Sequence, residues 1–175
     1  MIVSPDDGGM SRAVYYANVL GVDMGMFYKR RNYTTKENTH GKNPVLGFEF
    51  LGNNVADKDI IVVDDMIASG TTVIETAYEL KKRHARNIYI AATFGLFSEG
   101  FARFDKAYED GVISRIYTTN LAYASEELKN KPYYTSVDLS KYISLIINTL
   151  NHDTSVNDIL DPTVRIQELL TEIKK

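Results

Sequence analysis

The sequence predicts an α/β fold: a parallel β-sheet sandwiched between helices in three layers, formed by residues 1–175 as one domain. Two observations predict it. Three short apolar runs, Asp59-Ile-Ile-Val-Val-Asp64, Asn87-Ile-Tyr-Ile-Ala-Ala-Thr93 and Ile113-Ser-Arg-Ile-Tyr-Thr118, are rich in β-branched and aromatic residues, as buried strands require. Helical patterns follow the first two, and alternation of this kind reads as a parallel sheet covered on both faces.

Taken in order, Ile2 and Val3 form a strand stub, Ser4–Gly9 a turn and Ser11–Leu20 a helix. Asp23–Tyr28 is the next strand. Lys29–Asn43 is polar and aperiodic and reads as a long loop, bordered by a possible strand over Val45–Leu51. Unstructured loops of about 15 residues inside a compact domain are usually functional or disordered. After Thr72, the residues Val73, Ile74, Ala77, Tyr78 and Leu80 recur at helical spacing, with Lys81, Lys82 and Arg83 in the last turn. Phe101, Phe104, Ala107 and Tyr108 repeat the pattern up to Gly111. Leu139, Tyr142, Ile143, Ile146, Ile147 and Leu150 make Asp138–Asn151 an amphipathic helix. Asp161-Pro162 starts a final helix, with Val164, Ile166, Leu169, Leu170 and Ile173 expected on its buried side.

Composition narrows the function classes. The chain has 175 residues, 20 basic and 23 acidic, for a formal charge of −3, which argues against general nucleic-acid binding. Hydrophobic residues at 44% exclude a disordered chain. The absence of cysteine excludes disulfides, thiolate metal sites and a cysteine nucleophile. No apolar run approaches the ~18 residues of a membrane span and no leader precedes the fold, so a cytoplasmic protein without membrane contact is expected. His40, His84 and His152 are scattered, with no metal-pair spacing. Tyr15-Tyr16 and Tyr133-Tyr134 fit either core positions or subunit contacts.

The chemistry concentrates in Ile60–Ile74. Apolar β-formers deliver Asp64 and Asp65 to the carboxyl end of a strand, where open α/β sheets bind ligands. The following loop, Ala68-Ser-Gly-Thr-Thr72, offers backbone N–H groups, hydroxyl donors and a helix N-terminus, which suit a phosphate monoester. Carboxylates beside such a cradle repel the anion, unless the phosphate carries a sugar whose hydroxyls they accept, or Mg²⁺ lies near. The alternative is a strand-to-helix turn in which the aspartates cap backbone groups and Thr72 with Glu75 forms a capping box. Lys29–Lys42 sets five cations against one carboxylate, Glu37. A mobile basic loop of this kind can neutralise charge during phosphoryl-type transfer; taken alone, the segment reads first as a solvated basic loop that touches nothing.

Val62–Thr72 resembles the phosphoribosyl-diphosphate motif shared by type I phosphoribosyltransferases and ribose-phosphate diphosphokinases. Val3-Ser-Pro-Asp-Asp-Gly-Gly9 resembles the diphosphate loop of the diphosphokinases, and Tyr28-Lys-Arg-Arg31 the start of their catalytic loop. Ala92–Ser98 and Asp153–Leu160 match further segments, so the likeness, to the C-terminal half of a two-domain enzyme, spans almost the whole chain. The resemblance implies a type I phosphoribosyltransferase-like fold and diphosphate transfer from ATP to ribose 5-phosphate, giving phosphoribosyl diphosphate. It implies that Ala68, Ser69, Gly70, Thr71 and Thr72 hold the 5-phosphate and that Asp64 and Asp65 hold the ribose hydroxyls. Asp6 would approach Mg²⁺, Gly8 and Gly9 would admit the diphosphate, and Lys29 and Arg31 would act as catalytic cations over ATP. It also implies a homo-oligomer working with the N-terminal domain of the full enzyme. The family commonly has Asp where Ala68 stands, Gly at Thr71 and His at Phe94, and Asn43–Gly52 looks like an insertion lengthening the loop. The alternatives are a transferase acting on a nitrogen base, with Val112–Ser136 as its hood, and a non-catalytic subunit sensing sugar phosphates.

Overall fold

The computed structural model describes residues 1–31 and 45–173. Seven strands form one sheet: β1 (Ile2–Ser4), β2 (Met24–Arg31), β3 (Val45–Gly52), β4 (Ile60–Ile67), β5 (Ile88–Gly95), β6 (Arg115–Thr119) and β7 (Tyr134–Val137). Their spatial order is β3-β2-β1-β4-β5-β6-β7. All neighbours run parallel except β2 and β3, an antiparallel pair. The chain therefore builds outward from β1 in one direction, returns, and builds outward in the other. The reversal falls between β1 and β4.

Alternation along the central strands sorts side chains to two faces. Ile60, Val62, Ile88, Ile90 and Ile116 enter the larger core, covered by α2 (Thr71–Lys82) and α3 (Ala102–Glu109). Ile2 and Val63 turn the other way, against Ala13 and Ala17 of α1 (Met10–Leu20). Burying a Leu, Ile or Phe side chain stabilises by roughly 1.5–3 kcal/mol, so this two-sided strand set carries most of the driving force. Tyr133 and Tyr134 belong to it: both are buried, their hydroxyls bonded to Asp105 and Thr118, which removes them as subunit contacts.

Several expectations are corrected. Strand β2 continues through Arg31 instead of ending at Tyr28, because β3 supplies a hydrogen-bonding edge from Gly52 back to Val45. Asn43–Gly52 is thus mostly paired strand rather than added loop; residues 32–44, with His40, lie outside the described residues. Val112–Ser136, the stretch offered as a hood, is tied to the sheet at both ends. It contributes β6, the short helix α4 (Glu126–Lys129) outside the sheet, and the start of β7.

The C-terminal helices form where periodicity places them but do not bury the expected faces. In α5 (Ser140–Asn151) Ile147 and Leu150 are each 62% exposed, and in α7 (Thr163–Ile173) Val164 and Ile173 are 70% and 81% exposed. Between them lies the short α6 (Asn157–Leu160). Asp161 does start α7, accepting the Thr163 N–H at 3.0 Å, and Gln167 ties α7 to the Val19 carbonyl of α1. No described helix is long and apolar enough to cross a membrane.

Candidate functional site

Strand β1 is only three residues long, and its pairing with β4 ends at Val3–Val62. β4 continues to Ile67 with β5 on its other side. Asp64 and Asp65 therefore emerge beside the end of β1, at the point where the strand order reverses. Ligands bind in the crevice formed at such points.

Two loops frame this crevice. The first joins β1 to α1. Buried Ser4 donates its hydroxyl to the Asp6 carbonyl at 2.7 Å, and Asp6 Oδ1 accepts the Gly9 N–H at 3.1 Å. A side chain at Gly9 would bring Cβ to 2.5 Å from the Ser4 hydroxyl, so only glycine fits there. Gly8 is exposed, with open space around it apart from Asp6 Oδ1 at 3.4 Å.

The second loop joins β4 to α2. Gly70 is the residue before the helix and sits in the left-handed region (φ 81°), its hydrogen face against the Phe104 ring, where a Cβ would lie 2.0 Å away. Its carbonyl accepts the Ile74 N–H at 3.0 Å, starting the helix at Thr71. The expected Thr72–Glu75 capping box does not form, because Thr72 is already inside the helix. The Ile67 and Ala68 carbonyls are fastened to the backbone N–H groups of Leu96, Phe97 and Ser98. Ser69, Thr71 and Thr72 line, with Asp64, Met66 and the rest of the loop, a cavity of about 110 Å³. On the far side of Asp64 a groove of about 300 Å³ runs over the open sheet face, past Ala91, Tyr117 and Tyr16. Asp64 is the wall between the two.

The carboxylate pair is electrostatically unequal. Burial pushes the Asp64 carboxyl up to about 6, and the neighbouring charges of Asp65 and Asp6 add to the effect against the Asp65 N–H, which donates to Asp64 Oδ1 at 2.9 Å. Asp65 is held below the usual carboxylate range by its hydrogen bond with Asp64 and by the charge of Arg12. Two adjacent carboxylates with separated proton affinities form a unit that binds one proton near pH 6 and is fully ionised above it.

Arg12 is the residue that sequence reasoning missed here. Its fork straddles the pair, Nη1 at 3.7 Å from Asp64 and Nη2 at 3.5 Å from Asp65, while Nη1 is buried without a hydrogen-bond partner. Its position in the first turn of the helix that follows the glycine loop was the available signal. Arg103, from α3, was missed as well: it hydrogen-bonds the Thr71 hydroxyl and pairs with Glu99.

The structure thus brings the Asp6–Gly9 loop, the Asp64–Asp65 pair and the Ala68–Thr72 loop to one crevice. Lys29 and Arg31 lie on β2, two strands from Asp64, with backbone partners Phe48 and Val45 on β3; their side chains lie outside the described residues. Phe94 is 39% exposed on β5 beside Met66. Among the described residues no cluster of three or more His, Asp or Glu forms a metal cage. Mg²⁺ commonly binds through one or two carboxylates, waters and substrate phosphates, and the half-buried Asp6 carboxylate at the mouth of the glycine loop fits that mode.

The fold and crevice define a class. Residues 1–130 match the model of the phosphoribosyl transferase domain, and the chain belongs to that family. Within it, the chain is 31% identical over 160 residues to the ribose-phosphate pyrophosphokinase of Mycoplasma pneumoniae, an alignment covering 91% of this chain and 46% of that protein. It is 34% identical over 160 residues to the enzyme of the same name from Mycoplasmopsis pulmonis, over 90% and 46% of the two chains. The crystal structure of phosphoribosylpyrophosphate synthetase from Mycobacterium smegmatis superposes with a TM-score of 0.67 at 25% identity, over 87% of this chain and 45% of that one. The chain spans about half the length of these relatives.

Proposed function

We propose that this chain carries the ribose 5-phosphate and diphosphate sites of a ribose-phosphate diphosphokinase. The observation that carries the reading is the carboxylate pair standing as the wall of a small, donor-lined cradle. A bare phosphate gains nothing from carboxylates beside it; a sugar phosphate does, because its hydroxyls donate to them while its phosphate accepts from the loop. In this reading Ala68, Ser69, Gly70, Thr71 and Thr72 hold the 5-phosphate, and Asp64 and Asp65 accept the ribose 2- and 3-hydroxyls. The sugar C1 then faces the Asp6–Gly9 loop, where Gly8 and Gly9 leave room for the diphosphate.

The reaction moves a diphosphoryl group from ATP to the 1-hydroxyl of ribose 5-phosphate. The hydroxyl oxygen bonds to the β-phosphorus, the bridging α–β P–O bond breaks, AMP leaves and the hydroxyl proton is released. Asp6, together with the substrate phosphates, would hold Mg²⁺, which would supply charge neutralisation on the moving oxygens. Positioning and charge compensation dominate such transfers. Lys29 and Arg31 provide the closing cations. Half-length coverage of the relatives accords with an ATP site completed by another half, the N-terminal domain, and by a neighbouring subunit in a cytoplasmic homo-oligomer serving nucleotide synthesis. The ends of Val112–Ser136 being β6 and β7 of the sheet rather than a separate hood supports this reading over the base-transferring alternative.

Calorimetric titration with ribose 5-phosphate and Mg²⁺ tests the reading. Saturable binding is expected, lost in Asp64→Ala/Asp65→Ala, with diphosphate transfer slow or undetectable for the chain alone. Binding of phosphoribosyl diphosphate without ribose 5-phosphate shifts the assignment to a base-transferring enzyme. Binding of neither removes the sugar-phosphate site altogether.

A further inference from the structure

We propose that Arg103 is a positioning residue for the phosphate cradle, fixing the direction of the Thr71 and Ser69 hydroxyl protons so that the loop donates to a phosphate monoester; the inference rests on the sugar-phosphate reading above. Packing sets up the contact. Phe104, fully buried, seats its ring against the Cβ-less face of Gly70, which clamps the first turn of α3 onto the loop. The residue before it, Arg103, then lies over Thr71, with its side chain about one-third exposed.

The hydrogen-bond polarity follows from the donor inventory. Arginine has only donors, so in the bond between Arg103 Nη1 and Thr71 Oγ1 the hydroxyl oxygen accepts. The Thr71 proton must therefore point away from Arg103, toward Ser69 Oγ at 3.1 Å or into the cavity. Ser69 Oγ also faces the Thr71 N–H at 3.4 Å, so it is placed as an acceptor and its own proton is free to turn toward the cavity. The cation at one end of this chain of hydroxyls orients it as a set of donors. A neutral threonine without Arg103 is as ready to accept as to donate, and a phosphate dianion needs donors.

Two features of this loop make the device necessary. Thr71 brings a hydroxyl, and with it an ambiguity of direction, into the cavity lining. The residues Ala68–Thr72 carry no charge of their own and Asp64 forms the cavity wall, so Arg103 adds the positive charge that an anion needs beside that carboxylate. Glu99, paired with Arg103 Nη2, restrains that charge.

The test is calorimetric binding of ribose 5-phosphate and of inorganic phosphate to the chain and to Arg103→Met, Arg103→Lys, Thr71→Val, Glu99→Gln and Asp64→Asn/Asp65→Asn, with thermal melts as a fold check. Arg103→Met is expected to weaken ribose 5-phosphate about tenfold or more, the weight of a charge-assisted hydrogen bond. Thr71→Val reproduces that loss, and Arg103→Lys restores part of it. Glu99→Gln tightens binding, by about two- to threefold, because it frees the guanidinium charge; a merely structural salt bridge would give loss instead. If Arg103→Met fails to fold, Arg103→Lys and Glu99→Gln carry the test. Ribose 5-phosphate binding that disappears in Asp64→Asn/Asp65→Asn yet is unchanged in Arg103→Met overturns this inference and leaves the functional reading standing. Equal weakening by Glu99→Gln and Arg103→Met overturns it too. Absence of ribose 5-phosphate binding in the unaltered chain overturns both.

Discussion

The two loops at the crevice are built from opposite materials. The β1–α1 loop is acidic, with Asp6 and Asp7, and its carboxylate and hydroxyl are used internally to hold the turn in shape. The β4–α2 loop has no charged residue between Ile67 and Val73; it holds its shape through backbone bonds to residues 96–98 and through Phe104. Both open onto helix N-termini, so both attract anions. The difference is that the first presents a carboxylate and suits an anion that arrives with a divalent cation. The second presents hydroxyls and suits an anion that arrives alone. In the proposed reading, one crevice would distinguish two phosphate groups by what accompanies them.

The largest expected effect comes from breaking the stiff loop. Gly70→Ala forces a left-handed backbone onto a residue with Cβ, 2.0 Å from the Phe104 ring. The expected loss is about 3 kcal/mol of stability by denaturant unfolding, together with phosphate binding. Gly8→Ala in the acidic loop is expected to cost under ~0.5 kcal/mol, because nothing but Asp6 Oδ1 at 3.4 Å stands in its way. Comparable losses at both positions would erase the distinction between the loops.

Next comes the wall between them. With the Asp64 carboxyl raised by burial from its ordinary value to about 6, the native state binds more protons than the unfolded chain between about pH 4 and 6. Asp64's own contribution to the stability of the ligand-free protein therefore falls as pH rises through that window, leaving an unfavourable, largely buried charge at pH 7. Asp64→Asn is expected to raise stability at pH 7 by about 1–2 kcal/mol, with no gain at pH 4, while ribose 5-phosphate binding collapses. Thermal melts at the two pH values measure the first part and calorimetry the second. The same ionisation predicts that ribose 5-phosphate affinity of the unaltered chain falls as pH drops below 6, read by calorimetry across that range.

The smallest effect should separate the loops most sharply. Asp6→Asn keeps the Oδ1 acceptor for Gly9, so stability and ribose 5-phosphate affinity should change by less than about twofold. Mg²⁺-dependent binding of diphosphate should vanish. A matching loss of ribose 5-phosphate affinity would mean that the loops work as one site rather than two.

Much of this crevice is legible in the sequence because its chemistry is contiguous. Asp64 to Thr72 lie on one strand end and one loop, and Asp6 to Gly9 on another, so spacing along the chain is spacing in space. Arg12 and Arg103 are not legible in that way. Each enters from the first turn of a helix whose placement depends on packing, Ala13 and Ala17 against Val63 in one case and Phe104 against Gly70 in the other. Both edge strands are expected at Lys29–Gly52, but the polar run hides the extent of the first: Lys29–Arg31 continue β2 because β3 gives their backbone an antiparallel partner. Periodicity in α5 and α7 identifies an apolar stripe correctly and still says nothing about what lies against it; Ile147 and Val164 face solvent.

The thin cover on α5 and α7 sets the timescales on which the molecule opens. Amides in β4 and β5, locked between two cores, exchange with solvent only when the whole sheet comes apart. Those in α5, α6 and α7 are released by local opening that costs a fraction of the global free energy. Among the described residues, a protease meeting the folded chain is expected to cut first between Ser140 and Ile173, and the crevice at the β1–β4 junction, which takes no lining side chain from that stretch, to outlast the cut.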